Sequence, residues 1–171
     1  MFRFIFIILL TLLINTKCYS TNVSNPVRMK LTIGSVDMKT KKIEAAVKVT
    51  IQDGWHIYYK IPGDLGLPTV FQWQKHIFKD AHVHWPKPLQ HTDIVSNNTF
   101  HSNIYKDLVV FPISLILKDN QHKELQVTLR IRYAVCKDIC IPQEKVIILD
   151  QLLQNYQNQE TIQLINFWKT K

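Results

Sequence analysis

Apolar residues in this chain recur at every second position, in short runs cut by turn residues. That period specifies half-buried strands and leaves little room for amphipathic helices. Leu125, Val127, Leu129, Ile131 and Tyr133 share one face of one run; Ile43, Ala45, Val47, Val49 and Ile51 share one face of another; Val27, Met29, Leu31 and Ile33 form a third. The polar stretch Met38-Lys39-Thr40-Lys41-Lys42 joins the last two as a hairpin. An aromatic strand follows over 55–60, then short strands over 70–73 and 81–85. Residues 108–117 read as a strand whose internal Pro112 favours an edge position or a bulge. Residues 146–149 are a continuous apolar strand. Residues 61–68 carry two prolines and two glycines and read as irregular. Residues 90–103 are polar without periodicity, a long loop of the kind that often serves as a lid. Seven or eight short strands imply an all-β chain, an immunoglobulin-like β-sandwich, with a closed barrel as the alternative. Residues 150–171 fit one or two short helices, with Leu152, Leu153 and Tyr156 on one side and Ile162, Ile165 and Trp168 on another.

The first twenty residues stand apart. Met1-Phe2-Arg3 opens with a positive charge, 4–14 are apolar except for Thr11, and Cys18 and Ser20 place small residues at the −3 and −1 positions of a cut after Ser20. This is the pattern of a secretory signal peptide, with an uncleaved anchor as the rival reading. Eleven apolar residues are too few to span a bilayer unaided. Lys17 directly before Cys18 argues against lipidation there. The expected organisation is therefore a signal peptide over 1–20, one domain over 21–150 and a C-terminal extension over 151–171. Losing Arg3 and Lys17 lowers the formal charge from +8 to about +6. The basic residues are scattered and no basic-aromatic motif accompanies them, so no nucleic-acid partner is expected. Nor is stable membrane insertion after signal cleavage, because no second apolar stretch is long enough.

A cut after Ser20 removes one of three cysteines and leaves Cys136 and Cys140, with three residues between them in Val-Cys-Lys-Asp-Ile-Cys-Ile-Pro, between two strand-like runs. A secreted chain meets an oxidising compartment, so this pair can close a disulfide. The resulting ring is a weak staple: closing about five residues contributes roughly 2 kcal/mol by loop entropy, against about 4.7 for a hundred-residue loop. A pair so close together suits opening and closing better than bracing. A static disulfide and two buried free thiols are the alternatives.

Several segments in order carry a resemblance. Asp53-Gly54-Trp55-His56-Ile57-Tyr58-Tyr59, Pro62-Gly63-Asp64-Leu65-Gly66-Leu67-Pro68-Thr69, Trp85-Pro86, Phe111-Pro112 and Cys136-Lys137-Asp138-Ile139-Cys140-Ile141-Pro142 resemble the N-terminal periplasmic domain of the thiol:disulfide interchange protein DsbD. The likeness is closer to the relatives that include ScsB, and it spans roughly residues 27–150. It implies an immunoglobulin-like fold with redox cysteines near one end of a sheet, a periplasmic location and no cofactor. It implies a component of a protein-disulfide reductase system that takes electrons from a membrane or thioredoxin-like donor and passes them to oxidised periplasmic proteins. Acceptors of that family include disulfide isomerases and thioredoxin-like proteins of cytochrome c maturation. Cys140 is then expected to form the mixed disulfide and Cys136 to resolve it. The family shields its cysteines with a mobile cap loop; the matching stretch is roughly 91–105, with Phe100 as the candidate cap and loop anchoring as its plainer role. Of Tyr58 and Tyr59, one should face the cysteines and the other the opposite side, because strand neighbours alternate.

Seven histidines invite a metal reading. His82 and His84 share a strand face, and His56 and the two cysteines could add ligands suited to copper or zinc. The sequence has no Met-rich tract and no Cys-x-x-Cys pair, and a His-x-His on a strand is more often a surface pair, so no metal site is expected. A copper-binding tolerance protein and a non-catalytic immunoglobulin-like binding module with a structural disulfide are the alternatives to a redox carrier.

Overall fold

A computed structural model describes residues 25–119 and 124–171. The expected signal peptide lies outside the described residues. Two antiparallel sheets pack face to face. The first has the order β11–β1–β2–β8–β5: β1 is Val27–Asp37, β2 Lys42–Ile51, β5 Phe78–Val83, β8 Leu108–Leu117 and β11 Tyr156–Gln157. The second has the order β10–β9–β3–β7–β6: β3 is His56–Gly63, β6 Leu89–Val95, β7 Asn98–Tyr105, β9 Glu124–Cys136 and β10 Cys140–Leu152. A short β4, Val70–Trp73, pairs with β9 where β3 has turned away toward β7. This is the immunoglobulin-like sandwich expected from the alternation.

The alternating positions form the core. Ile43, Ala45, Val47, Val49 and Ile51 of β2 face Leu125, Val127, Leu129, Ile131 and Tyr133 of β9 across one continuous buried cluster. Its centre is aromatic: Phe111 meets Phe71, Trp85 and Tyr105 edge to face, at centroid separations of 5.2, 5.2 and 5.3 Å. Such pairs contribute roughly 0.5–1.5 kcal/mol each beyond area burial.

Among the described residues a single helix, α1 (Gln159–Lys169), packs on the outward face of the first sheet. Asn158 caps it, its side chain accepting from the Thr161 amide at 2.9 Å. Ile165 is buried against Ala46 and Val110. Gly34, at the bulge in β1, makes the approach possible, since a Cβ there would lie 2.8 Å from Ile165 Cδ1. That is why Ala45, Ala46 and Val47 are all buried: one face meets the core, the other meets the helix.

Four expectations are corrected. Residues 90–103 are no loop; they form the hairpin β6–β7. Ser96 and Asn97 turn it with φ of 49° and 68°, the left-handed pair that a two-residue hairpin turn needs. Within 90–103 only Ser102 is buried, so no apolar face marks these strands, although Ile104 and Tyr105 at the end of β7 are buried. Pro112 lies on an inner strand, between β2 and β5. It is tolerated because its backbone faces the side where β5 has just ended, with its carbonyl accepting from His84 N at 2.8 Å. The short strand at 146–149 is part of the 13-residue β10. Leu152 ends β10 and Tyr156 lies in β11, so only the later part of 150–171 is helical.

Replacing Ile165 by Ala should lower stability by about 2–4 kcal/mol, since the void beneath α1 cannot refill. Urea unfolding measures this. The rate at which dithiothreitol opens the Cys136–Cys140 bond should stay unchanged, because the helix lies on the other sheet.

Candidate functional site

Cys136 is the last residue of β9 and Cys140 the first of β10, so the pair faces itself across the hairpin turn. The two are joined as a disulfide with a Cα–Cα distance of 4.1 Å. Their environments differ. Cys136 is only 1% exposed, whereas Cys140 and the turn residues Lys137, Asp138 and Ile139 are exposed. The accessible end of the bond is therefore the Cys140 sulfur.

The register of β3 supplies the neighbours. His56 stands directly opposite Cys136, and Ile57 opposite Val135. With Ile57 pointing into the core, His56 and Tyr58 share the outward face with Cys136 and Ala134. The Tyr58 hydroxyl lies 3.6 Å from Cys140 Sγ. Burial first, then the Asp93 carboxylate, raises the Tyr58 phenol above its ordinary range, so it stays a neutral hydroxyl on the sulfur. Tyr59 points the other way, edge-on to Trp85 and Tyr105 in the core.

The Pro-Gly-Asp-x-Gly-Leu-Pro-Thr segment holds Tyr58 in place. Thr69 Oγ1 donates to the Tyr58 carbonyl at 2.6 Å. Asp64 is clamped to β7, its amide donating to the His101 carbonyl at 2.9 Å and its carboxylate accepting from the His101 amide at 2.8 Å. Gly66, at φ +90°, lays bare backbone on the Tyr58 ring; a Cβ there would overlap three ring atoms. Both glycine and the left-handed conformation are needed for so close an approach.

His56 is 8% exposed and its Nε2 is buried without a hydrogen-bond partner among the described residues. Its ring lies 5.2 Å from that of Tyr58 and 5.4 Å from that of His91. His91 Nε2 meets the Asp93 carboxylate at 3.2 Å. Burial first, then repulsion from His91 and Lys106, pushes the His56 imidazole down to about 4 against a weaker pull from Asp93.

The candidate cap, Phe100, lies on β7 opposite Asp93 and is half-buried. Among the described residues no ring contact joins it to Tyr58, His56 or His91. His82 and His84 do meet, with centroids 4.5 Å apart, but on the outward face of the first sheet, across the sandwich from the cysteines. There His84 Nε2 lies 3.2 Å from Ser114 Oγ, which donates to Glu44 at 3.0 Å; Lys42 and Lys169 pair with the same carboxylate. The fold thus separates His82 and His84 from His56, Cys136 and Cys140. Among the described residues no group of three or more His, Cys, Asp or Glu is placed to hold a metal ion. Gly66, His91 and Asp93 were not singled out from sequence as part of the site. The spacing of His56 and Tyr58, two apart on a strand, was a usable signal for His56; His91 and Asp93 fall in the stretch 91–105 matched to the family's cap loop, but nothing there marked those two side chains.

Residues 25–152 match the family of the thiol:disulfide interchange protein DsbD, N-terminal. The chain belongs to that family. No curated protein sequence matches it significantly. The N-terminal periplasmic domain of ScsB from Proteus mirabilis superposes with a TM-score of 0.67 at 22% identity, over 86% of this chain and 54% of that one. The chain thus spans about half the length of that ScsB domain. The reduced DsbD N-terminal domain of Neisseria meningitidis is more distant, with a TM-score of 0.41 at 12% identity, over 72% of this chain and 87% of that one. The DsbD N-terminal family and the disulfide between Cys136 and Cys140 together are the marks of a thiol–disulfide exchange module. Among the described residues no helix is long and apolar enough to cross a membrane.

Two outcomes follow from this geometry. Gly66→Ala should displace the Tyr58 ring from Cys140, lower stability by about 1–3 kcal/mol, and speed reduction by dithiothreitol severalfold; stopped-flow thiol exchange and urea unfolding read the two effects. The unfolded chain protonates His56 below about pH 6.5, whereas the folded chain resists until about pH 4. Unfolding is therefore favoured as pH falls through that window, with a slope from this group approaching about 1.4 kcal/mol per pH unit. Urea unfolding at pH 7 and pH 4.5 should show a smaller loss in His56→Phe than in the wild type.

Proposed function

We propose that the chain is a periplasmic thiol–disulfide exchange module that carries reducing equivalents from a membrane or thioredoxin-like donor to oxidised periplasmic proteins through Cys136 and Cys140. It acts as the exchange component of a protein-disulfide reductase system. One observation carries the reading: the two ends of the bond are unequally accessible, Cys140 exposed and Cys136 buried. Exchange requires a thiolate to reach one sulfur in line with the bond it breaks. A donor thiolate therefore attacks Cys140 Sγ, the Cys136 sulfur leaves and takes a proton, and a mixed disulfide joins Cys140 to the donor. The donor's second thiol then displaces Cys140. Two electrons and two protons have moved, leaving both cysteines as thiols. Delivery runs in reverse: the Cys140 thiolate attacks an acceptor disulfide, and Cys136 resolves the mixed disulfide, restoring its own bond to Cys140. Acceptors of this class are thioredoxin-like, including disulfide isomerases and the thioredoxin-like proteins of cytochrome c maturation. A signal peptide over 1–20, cut after Ser20, delivers the domain to that compartment.

Exposed apolar side chains beside Cys140 support docking of a folded partner. Ile139, in the turn before Cys140, is 68% exposed, and Leu67, next to the Gly66 that lies on the Tyr58 ring, is exposed as well.

The test uses a thioredoxin-like protein of the periplasm, reduced as donor to the disulfide form of the chain and oxidised as acceptor for the Cys136→Ser variant, whose lone Cys140 thiolate attacks the acceptor disulfide. Cys140→Ser should bring exchange down to background. Cys136→Ser should accumulate a covalent complex through Cys140, seen as a band that dithiothreitol dissolves. Equal behaviour of both variants and the wild type would reject the reading.

A further inference from the structure

We infer that His56 is a positioning residue for the redox pair: its Nε2 accepts a hydrogen bond from the Cys136 thiol once the disulfide opens. The inference deepens the exchange function proposed above and rests on it for its biological meaning. Its chemistry stands on the arrangement of the residues themselves.

His56 and Cys136 are directly paired across β3 and β9, and directly opposite residues in an antiparallel pair hold their Cβ atoms about 4.5–5.5 Å apart on one face. His56 is 8% exposed and its Nε2 has no partner among the described residues. A buried polar nitrogen left unpaired carries a cost of about 1–3 kcal/mol, so a fold that keeps one calls for a second state in which it is satisfied. In the disulfide form the Cys136 sulfur has no proton to offer. Reduction by a dithiol or a phosphine breaks the bond with two electrons and adds two protons, one on each sulfur. The proton on Cys136 arises on the outward face that His56 shares, in a site closed to water on the Cys136 side. The resulting S–H···N contact favours the dithiol and holds the Cys136 sulfur at the strand end, from which it resolves the mixed disulfide on Cys140. The charged and titratable groups around the imidazole are His91 and Asp93 from β6, Lys106 after β7, and Tyr58 on its own strand. Burial, with repulsion from His91 and Lys106, keeps the ring neutral, as an acceptor must be.

The experiment follows the imidazole nitrogens of the full chain by 15N NMR at pH 7, with tris(2-carboxyethyl)phosphine as reductant and no partner protein. Reduction should move the Nε2 resonance of His56 upfield by several parts per million, as for a nitrogen that gains a donor. Cys140→Ser, which leaves Cys136 as a free thiol, should show the reduced position without any reductant; Cys136→Ala should keep the oxidised position. In equilibrium with glutathione, His56→Phe should shift the pair about five- to tenfold toward the disulfide, the loss of one such bond. A Nε2 resonance that ignores reduction, or that moves equally in Cys136→Ala, overturns the inference. These readings use no donor or acceptor protein, so failure of the exchange assay with a thioredoxin-like partner is a separate result.

Discussion

The pairing register of β9 governs the reactive end of this molecule. One strand sets Cys136 opposite Cys140 on one side and opposite His56 on the other. A slip of one residue would turn Cys136 inward and bring Tyr133, Ile131 and Leu129 out of the core. The slip is prevented by burial: five alternating apolar side chains of β9 pack against the first sheet. The large apolar cluster thus fixes the position of two sulfur atoms at its margin, and the site inherits its geometry from packing some distance away.

The two outward faces of the sandwich are used differently. On the first sheet, α1 lies over Gly34, Ala46 and Val110, small or short residues that let a helix approach closely. On the second, the outward face near Cys136 is covered by Tyr58 and by the loop that Gly66 brings over its ring. That cover is polar where it meets sulfur and held by hydrogen bonds from Thr69 and Asp64. Helix packing makes one face inert, while the loop presents a sulfur with a hydroxyl beside it.

What the sequence disclosed follows from which forces shape each part. The strands of the core were legible because burial writes a period of two into residue type, as in β2 and β9. The cysteine pair was legible because two thiols so close together have few other uses. The hairpin at 89–105 was not, because its strands are stabilised by backbone pairing and bury few side chains, so Thr92, Asp93 and Thr99 look like loop. Pro112 misled because the rule concerns the neighbour on the proline nitrogen's side, and β5 stops just short of it. His56 was read as a possible metal ligand; its place beside Cys136 depends on how two strands far apart in sequence align. Gly66 belongs to the resemblance, but its use as a bare surface for an aromatic ring emerges only once the loop is folded.

The same polarity that hid the hairpin has a thermal consequence. Its outer part, 92–99, has no buried side chain and loses little when it lifts away, so its opening is decoupled from melting of the sandwich. Ile94 at its tip is 75% exposed and contributes no anchor. That tip can fray by itself while Ile104 and Tyr105 keep the base of β7 fastened to the sandwich.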